Sequence, residues 1–158
     1  LRQALELNPN HAQALQYLGE VRGLQARWLA ARGQARMEDF EEAAQAYQKA
    51  LVLAPQRQDY RLAFGQFRRE WAAWHQKTGQ APDPLLMRAL DMANELLAAR
   101  PEWPDARLLR ASVLLRLAET AAPEEQRRGW REQAGEDLSR ALASNPQLEH
   151  EWKRPAVR

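Results

Sequence analysis

Apolar side chains return along this chain at steps of three and four residues. Tyr60, Phe64, Phe67, Trp71 and Trp74 form one continuous stripe, the spacing that keeps side chains on one face of an α-helix. Leu15, Leu18, Val21, Gln25 and Trp28 set out a corresponding face earlier in the chain, with Gln25 as its polar exception. Ala43, Ala46, Tyr47, Ala50 and Leu51 continue the rule between these two stripes. No segment alternates apolar and polar residues as a half-buried strand does. The pattern predicts helices over 1–8, 11–32, 37–54, 57–78, 84–100, 104–121, 124–144 and 147–153. The breaks fall where the chemistry favours a turn. Arg32-Gly33-Gln34 closes the second helix, and the stretch Thr78–Pro84 makes a stronger stop. There Asp83 is placed to cap the next helix and Pro84 to occupy its first turn. Pro123, Glu124 and Glu125 open another helix, with two acids at its positive end.

One phrase recurs along this helical pattern. QALELNPN (3–10), KALVLAPQ (49–56) and RALASNPQ (140–147) share an Ala-Leu pair and a closing proline, and ELLAARPE (95–102) is a degenerate copy. The prolines Pro9, Pro55, Pro101 and Pro146 are separated by 46, 46 and 45 residues. Gly19, Gly65 and Ala111 keep the 46-residue step, as do the pairs Trp28/Trp74 and Ala43/Ala89. Such a shared phase marks an internal repeat. The chain therefore reads as one array over 1–158: a partial repeat 1–11, repeats 12–57, 58–103 and 104–148, and a C-terminal tail 149–158. Each repeat is two antiparallel helices that cannot bury their apolar faces alone, so neighbours must stack.

The phrase also carries a resemblance. Ala14–Glu20 (ALQYLGE) and Glu41–Pro55 (EEAAQAYQKALVLAP) resemble the two helix motifs of the tetratricopeptide repeat (TPR) family. That resemblance implies an all-α fold: a TPR-like superhelix, or α-solenoid, of about seven to eight helices. It implies that Gly19, Gly65 and Ala111 let paired helices approach. It also implies that Ala43, Ala50, Ala89, Ala134 and Ala141 seat the second helix of each pair. The family's unit is about 34 residues, whereas this one is 46. The extra residues lie between the first-helix and second-helix motifs. They are expected to lengthen both helices, adding roughly 9 Å at 1.5 Å per residue. Trp28 and Trp74 fall in this extension and are expected to fill its core.

Composition narrows the function. The 158 residues contain no cysteine, which removes disulfides and cysteine metal sites. Lys+Arg total 23 against 21 Asp+Glu, a net charge of +2, a near balance that disfavours a nucleic-acid role, which usually shows a concentrated basic face. No apolar run reaches the roughly 18–20 residues of a membrane span. The chain opens in the last turns of a repeat, which predicts a fragment of a longer protein. His11, His75 and His150 lack metal spacing. Glu41-Glu42 and Glu124-Glu125 are adjacent and cannot share a helix face. No phosphate loop, nucleophile elbow or Cys/His cluster occurs. The expectation is a non-catalytic chain with no catalytic, cofactor-binding or metal residues and no cofactor.

The TPR resemblance places a binding groove on the first helices. Its candidate residues are Gln16 and Glu20 in the first full repeat, with Gln13 beside them. Leu62, Gln66 and Arg69 follow with Asp59 in the second, then Leu108, Ser112 and Arg116 with Asp105 in the third. Lysines and asparagines of the family's carboxylate clamp are missing from these positions. The expected ligand is therefore an internal segment or helix of a protein partner, with Arg69 and Arg116 pairing its acids. A cytoplasmic protein–protein interaction scaffold is the expectation. A weaker resemblance, carried by 100–121 and 136–152, is to the C-terminal TPR region of bacterial serine/threonine protein kinases. It implies a regulatory or substrate-docking region behind a catalytic domain. An RNA-binding helical repeat is the remaining reading, and the near-neutral charge disfavours it.

Overall fold

A computed structural model describes residues 2–153. Every regular element among the described residues is an α-helix. In chain order these are α1 (Arg2–Leu7), α2 (Ala12–Ala31), α3 (Met37–Leu53), α4 (Gln58–Lys77), α5 (Asp83–Ala99), α6 (Pro104–Leu117), α7 (Glu124–Ser144) and α8 (Leu148–Trp152). The expected helices are all present, most with ends within a residue or two. Residues 154–158 of the expected tail, and Leu1 of the first helix, lie outside the described residues. The chain packs as two compact units, Leu1–Phe67 and Arg68–Arg158, and the division falls inside α4.

In the first unit α2, α3 and the first half of α4 pack as antiparallel neighbours, because their contacts run in opposite sequence order. Arg22 meets Glu42 at 3.2 Å, Gly19 lies under the Tyr47 ring, and Leu15 joins Ala50 and Tyr60 in one apolar cluster. From α3 to α4, Tyr47 stacks on Phe64 with ring centroids 5.3 Å apart, and Phe40 lies 6.2 Å from Phe67. These four aromatic rings are the thick part of the core. The face of α2 turned towards them is made of small residues, with Gly19, Gly23 and Ala26 all buried. A Cβ built on Gly19 would lie 2.9 Å from Tyr47 Cγ and Cδ2, and one on Gly23 would lie 3.0 Å from Phe67 Cδ2.

This corrects the expectation for Trp28. It is 54% exposed, as the aromatic layer already fills the space beside α2. Of the face anticipated for α2, Leu15 is buried, Leu18 is half-buried, and Val21, Gln25 and Trp28 face water. Trp74, the other tryptophan assigned to the core, is half-buried. The helices themselves are long: α2 and α4 have 20 residues, α3 and α5 have 17.

Two glycines end helices by the same device. Gly33 (φ +68°) and Gly79 (φ +76°) adopt the left-handed conformation. The N–H of Gln34 donates to the Leu29 carbonyl at 2.9 Å, and that of Gln80 to the His75 carbonyl at 2.8 Å. This is the Schellman closure, which satisfies carbonyls that the helix leaves open. Other ends differ from expectation. Asp83 is the first helical residue of α5, and the capping position belongs to Pro82, with Pro84 in the first turn as anticipated. His11, which lacks metal spacing in the sequence, caps α2: its Nδ1 accepts from the Ala14 N–H at 3.1 Å. Helix α6 stops at Leu117 rather than at residue 121, where the Thr120 hydroxyl donates to the Leu117 carbonyl at 2.8 Å.

In the second unit α6 is buried nearly all round. Helices α6 and α7 run antiparallel, since Leu108 clusters with Ala141 while Ala111 and Leu114 cluster with Ala134. Trp152 of α8 packs against both clusters. The alanines expected to seat second helices, Ala43, Ala50, Ala89, Ala134 and Ala141, are all buried.

The glycines of these helices divide into two kinds, which gives a direct comparison. Gly19→Ala is expected to lower the melting temperature. Overpacking costs about 1–3 kcal/mol, and the offsetting gain in helix propensity is about 1 kcal/mol. Gly129→Ala and Gly135→Ala in α7 meet nothing within 4 Å, so they are expected to raise it through propensity alone. Thermal melts of the three variants check both signs.

Candidate functional site

The candidate groove residues distribute over both units, and the structure gives each a distinct surrounding. In the first unit Gln16 is buried, and its Nε2 donates to Glu20 Oε1 at 3.1 Å. Glu20 and Leu62 are half-buried, and Gln66 is exposed. Gln13, beside them, donates to the Tyr17 hydroxyl at 3.3 Å. Asp59 is held by Arg57 through two hydrogen bonds of 2.8 and 2.6 Å, which keep its carboxyl below the usual range.

In the second unit three of the four candidates are interior. Arg69 is 5% exposed and donates to Ser112 Oγ at 3.2 Å. Ser112 is wholly buried, and its hydroxyl donates to the Leu109 carbonyl at 2.8 Å. Leu108 is buried against Ala141 and Leu148. Arg116 is half-buried. Burial pushes its guanidinium below arginine's usual range, against the opposing pull of Glu119 and Glu70. Partial burial makes a carboxylate partner more valuable to it than to a fully hydrated arginine.

Sequence reading missed the most polar interior feature. Asp137 of α7 is 1% exposed. Its Oδ1 accepts from Arg107 Nη1 at 3.1 Å and Arg110 Nη2 at 2.8 Å, and its Oδ2 accepts from Arg110 Nε at 2.6 Å. Arg107 also donates to Glu102, and Arg110 to Asn94. A signal was available in the repeat phase. Stepping back from Asp137 by the 45- and 46-residue spacing reaches Met92 and then Ala46, and stepping back from Arg110 reaches Phe64 and then Leu18. Charges stand in the third repeat where the first two have apolar residues. Beside this cluster, Arg107, Arg110 and Arg140 border a cavity of about 340 Å³ with Asn94 and Leu97.

Comparison with family models, characterised proteins and solved structures finds no match for this chain. Among the described residues no group of three or more His, Cys, Asp or Glu is placed to hold a metal ion, and no helix is long and apolar enough to cross a membrane.

The surface carries a second feature the sequence pattern concealed. Tyr17, Val21, Leu24 and Trp28 are 51%, 53%, 57% and 54% exposed. Their steps of four, three and four residues align them on the side of α2 away from Gly19, Gly23 and Ala26. The four share one face of α2, where the Arg32 guanidinium lies 3.6 Å from the centroid of the Trp28 ring. A cavity of about 570 Å³, bordered by Pro9, Leu15, Lys49, Val52 and Leu53, lies elsewhere in the same unit.

Proposed function

We propose that this chain is a non-catalytic protein–protein interaction scaffold built of TPR-like helix pairs in a superhelical array. The observation that carries the proposal is the exposed stripe of α2. The inner face of that helix is already close-packed by glycine and alanine, and its four large apolar side chains stay about half exposed even though Tyr17 accepts from Gln13 and Trp28 carries the Arg32 guanidinium. The antiparallel pairing, the buried small residues at the repeat phase and the paired Schellman closures support the TPR-like reading. Fold supplies no chemistry by itself, so the binding role rests on these outward side chains.

The accessible members of the candidate set are Glu20, Leu62 and Gln66 in the first unit, which also carries the α2 stripe, and Arg116 in the second. Gln16 holds Glu20 from inside, while Arg69, Leu108 and Ser112 are buried within the second unit. An amphipathic helix or internal segment suits such side chains better than a free carboxyl terminus, and in the second unit Arg116 is suited to an acid of a ligand. In a peptide-array screen run well below the melting temperature of each variant, Arg116→Glu is expected to weaken capture of acidic amphipathic helices by about tenfold. Preference for free C-terminal acidic tails, or capture indifferent to Arg116→Glu, would overturn this assignment.

A further inference from the structure

The α2 stripe matches a second copy of itself. Reading inwards from either end gives the same spacing, so reversing the helix lays the stripe onto its own pattern. With the axis of rotation midway between Val21 and Leu24, Tyr17 lies opposite Trp28 of the second copy, and Val21 opposite Leu24. Each aromatic meets an aromatic and each aliphatic an aliphatic. The contact spans roughly 16 Å along the helix at 1.5 Å per residue. Its four exposed side chains have the 3–4 spacing of a helix-pairing seam.

The flanking charges select the same arrangement. Glu20 and Arg27 lie two turns apart on one flank of the stripe, and Arg27 is exposed while Glu20 is half-buried. In an antiparallel pair that flank meets the same flank of the other copy. Glu20 then comes opposite Arg27 of the second copy, and the contact is repeated by symmetry. A parallel pair would instead bring this flank against the opposite one, where Gln25 and Leu18 stand. A twofold interface must be complementary to itself, and both the apolar order and the charge order of α2 meet that condition.

We infer that α2 is a homodimerisation element, in which Tyr17, Val21, Leu24 and Trp28 of two copies pair antiparallel with Glu20–Arg27 contacts on one side. This rests on the scaffold reading and names the occupant of its most apolar face. The seam is short beside a standard interface, so the association is a concentration-dependent equilibrium in the micromolar range.

Sedimentation equilibrium across the micromolar range tests it. Wild type is expected to pass from monomer to dimer. Leu24→Glu places a charge at two symmetry-related points and is expected to raise the dissociation constant by about a hundredfold. Its melting temperature, measured at dilution, is expected to stay near wild type because Leu24 is exposed. Glu20→Arg and Arg27→Glu are each expected to weaken the dimer, and the double reversal to restore it. Orientation is read by disulfide trapping, since the chain has no cysteine of its own. Mixed Tyr17→Cys and Trp28→Cys variants are expected to cross-link as the 17–28 heterodimer. A wild-type chain that stays monomeric throughout overturns the inference, and assigns the stripe to another protein's helix while leaving the scaffold reading to its own peptide screen. A dimer unaffected by Leu24→Glu, a double reversal that restores nothing, or dominant 17–17 and 28–28 cross-links also overturns it.

Discussion

Replacing Asp137 by alanine is expected to cost about 3–5 kcal/mol of stability, a fall in melting temperature on the order of 10 °C for a chain of this size. The carboxylate is 1% exposed and accepts three hydrogen bonds from two arginines. Removing it leaves the buried Arg107 guanidinium with the exposed Glu102 as its remaining counter-charge, and Arg110 with only the neutral oxygen of Asn94. The cost is then the desolvation of cations that have lost compensation, which exceeds the net worth of the original pairs. A second variant separates this from simple loss of packing. Combining Asp137→Ala with Arg110→Leu removes one stranded charge together with its partner and restores an apolar residue where the preceding repeat has Phe64. It is expected to recover part of the lost stability, a non-additivity that a double-mutant cycle measures directly. Urea titrations of the two single variants and the double variant supply the cycle. Equal and additive losses would show that the cluster acts as independent side chains.

Phe64→Ala is expected to be of similar size, about 3–5 kcal/mol, from a different cause. Phe64 is 2% exposed. It stacks on Tyr47 at 5.3 Å with an interplanar angle of 12°, and lies 6.4 Å from Phe67. Truncation opens a cavity in the middle of an aromatic layer. The neighbouring side of α2 cannot move in easily, because Gly19 already touches Tyr47. Phe64→Leu fills most of the space and is expected to cost less than half as much. The check is the midpoint of denaturation for the two variants. An alanine variant within about 1 kcal/mol of wild type would mean that the layer collapses around the gap, at the low end of what such sites show.

The all-α class and the helices were legible because helix length, periodicity and punctuation are local properties. The stripe from Tyr60 to Phe67 identified the buried face of α4, and Gly33 and Gly79 identified helix ends that only a left-handed residue closes well. The orientation of α2 was not legible from large side chains. In that helix the inward face is Gly19, Gly23 and Ala26, and small residues leave almost no hydrophobic signal. The large ones, Tyr17, Val21, Leu24 and Trp28, look like a core and are not one. Gly19 alone was a usable sign, and its meaning depended on Tyr47, which lies in another helix. The candidate site was legible to a smaller extent. The TPR resemblance named Glu20, Leu62, Gln66 and Arg116, which are exposed or half-buried. It could not show that Arg69 turns inwards to Ser112, because that bond joins residues 43 positions apart. The Asp137 cluster was hidden for a related reason. The broken repeat phase marks Arg110 and Asp137 as unusual, but that they meet is visible only when α6 and α7 are laid side by side.

The central claim is that α2 turns its small residues inwards and presents its large ones as an interaction surface. Hydroxyl-radical footprinting of the unmodified chain, read by mass spectrometry at a dilution that favours the monomer, tests it within one molecule. Tyr17 and Trp28 are 51% and 54% exposed, whereas Tyr47 and Tyr60 are 5% and 3% exposed. The account predicts rapid oxidation of Tyr17 and Trp28 and strong protection of Tyr47 and Tyr60. Tyr17 and Trp28 protected to the same degree as Tyr47 and Tyr60 at that dilution would contradict it.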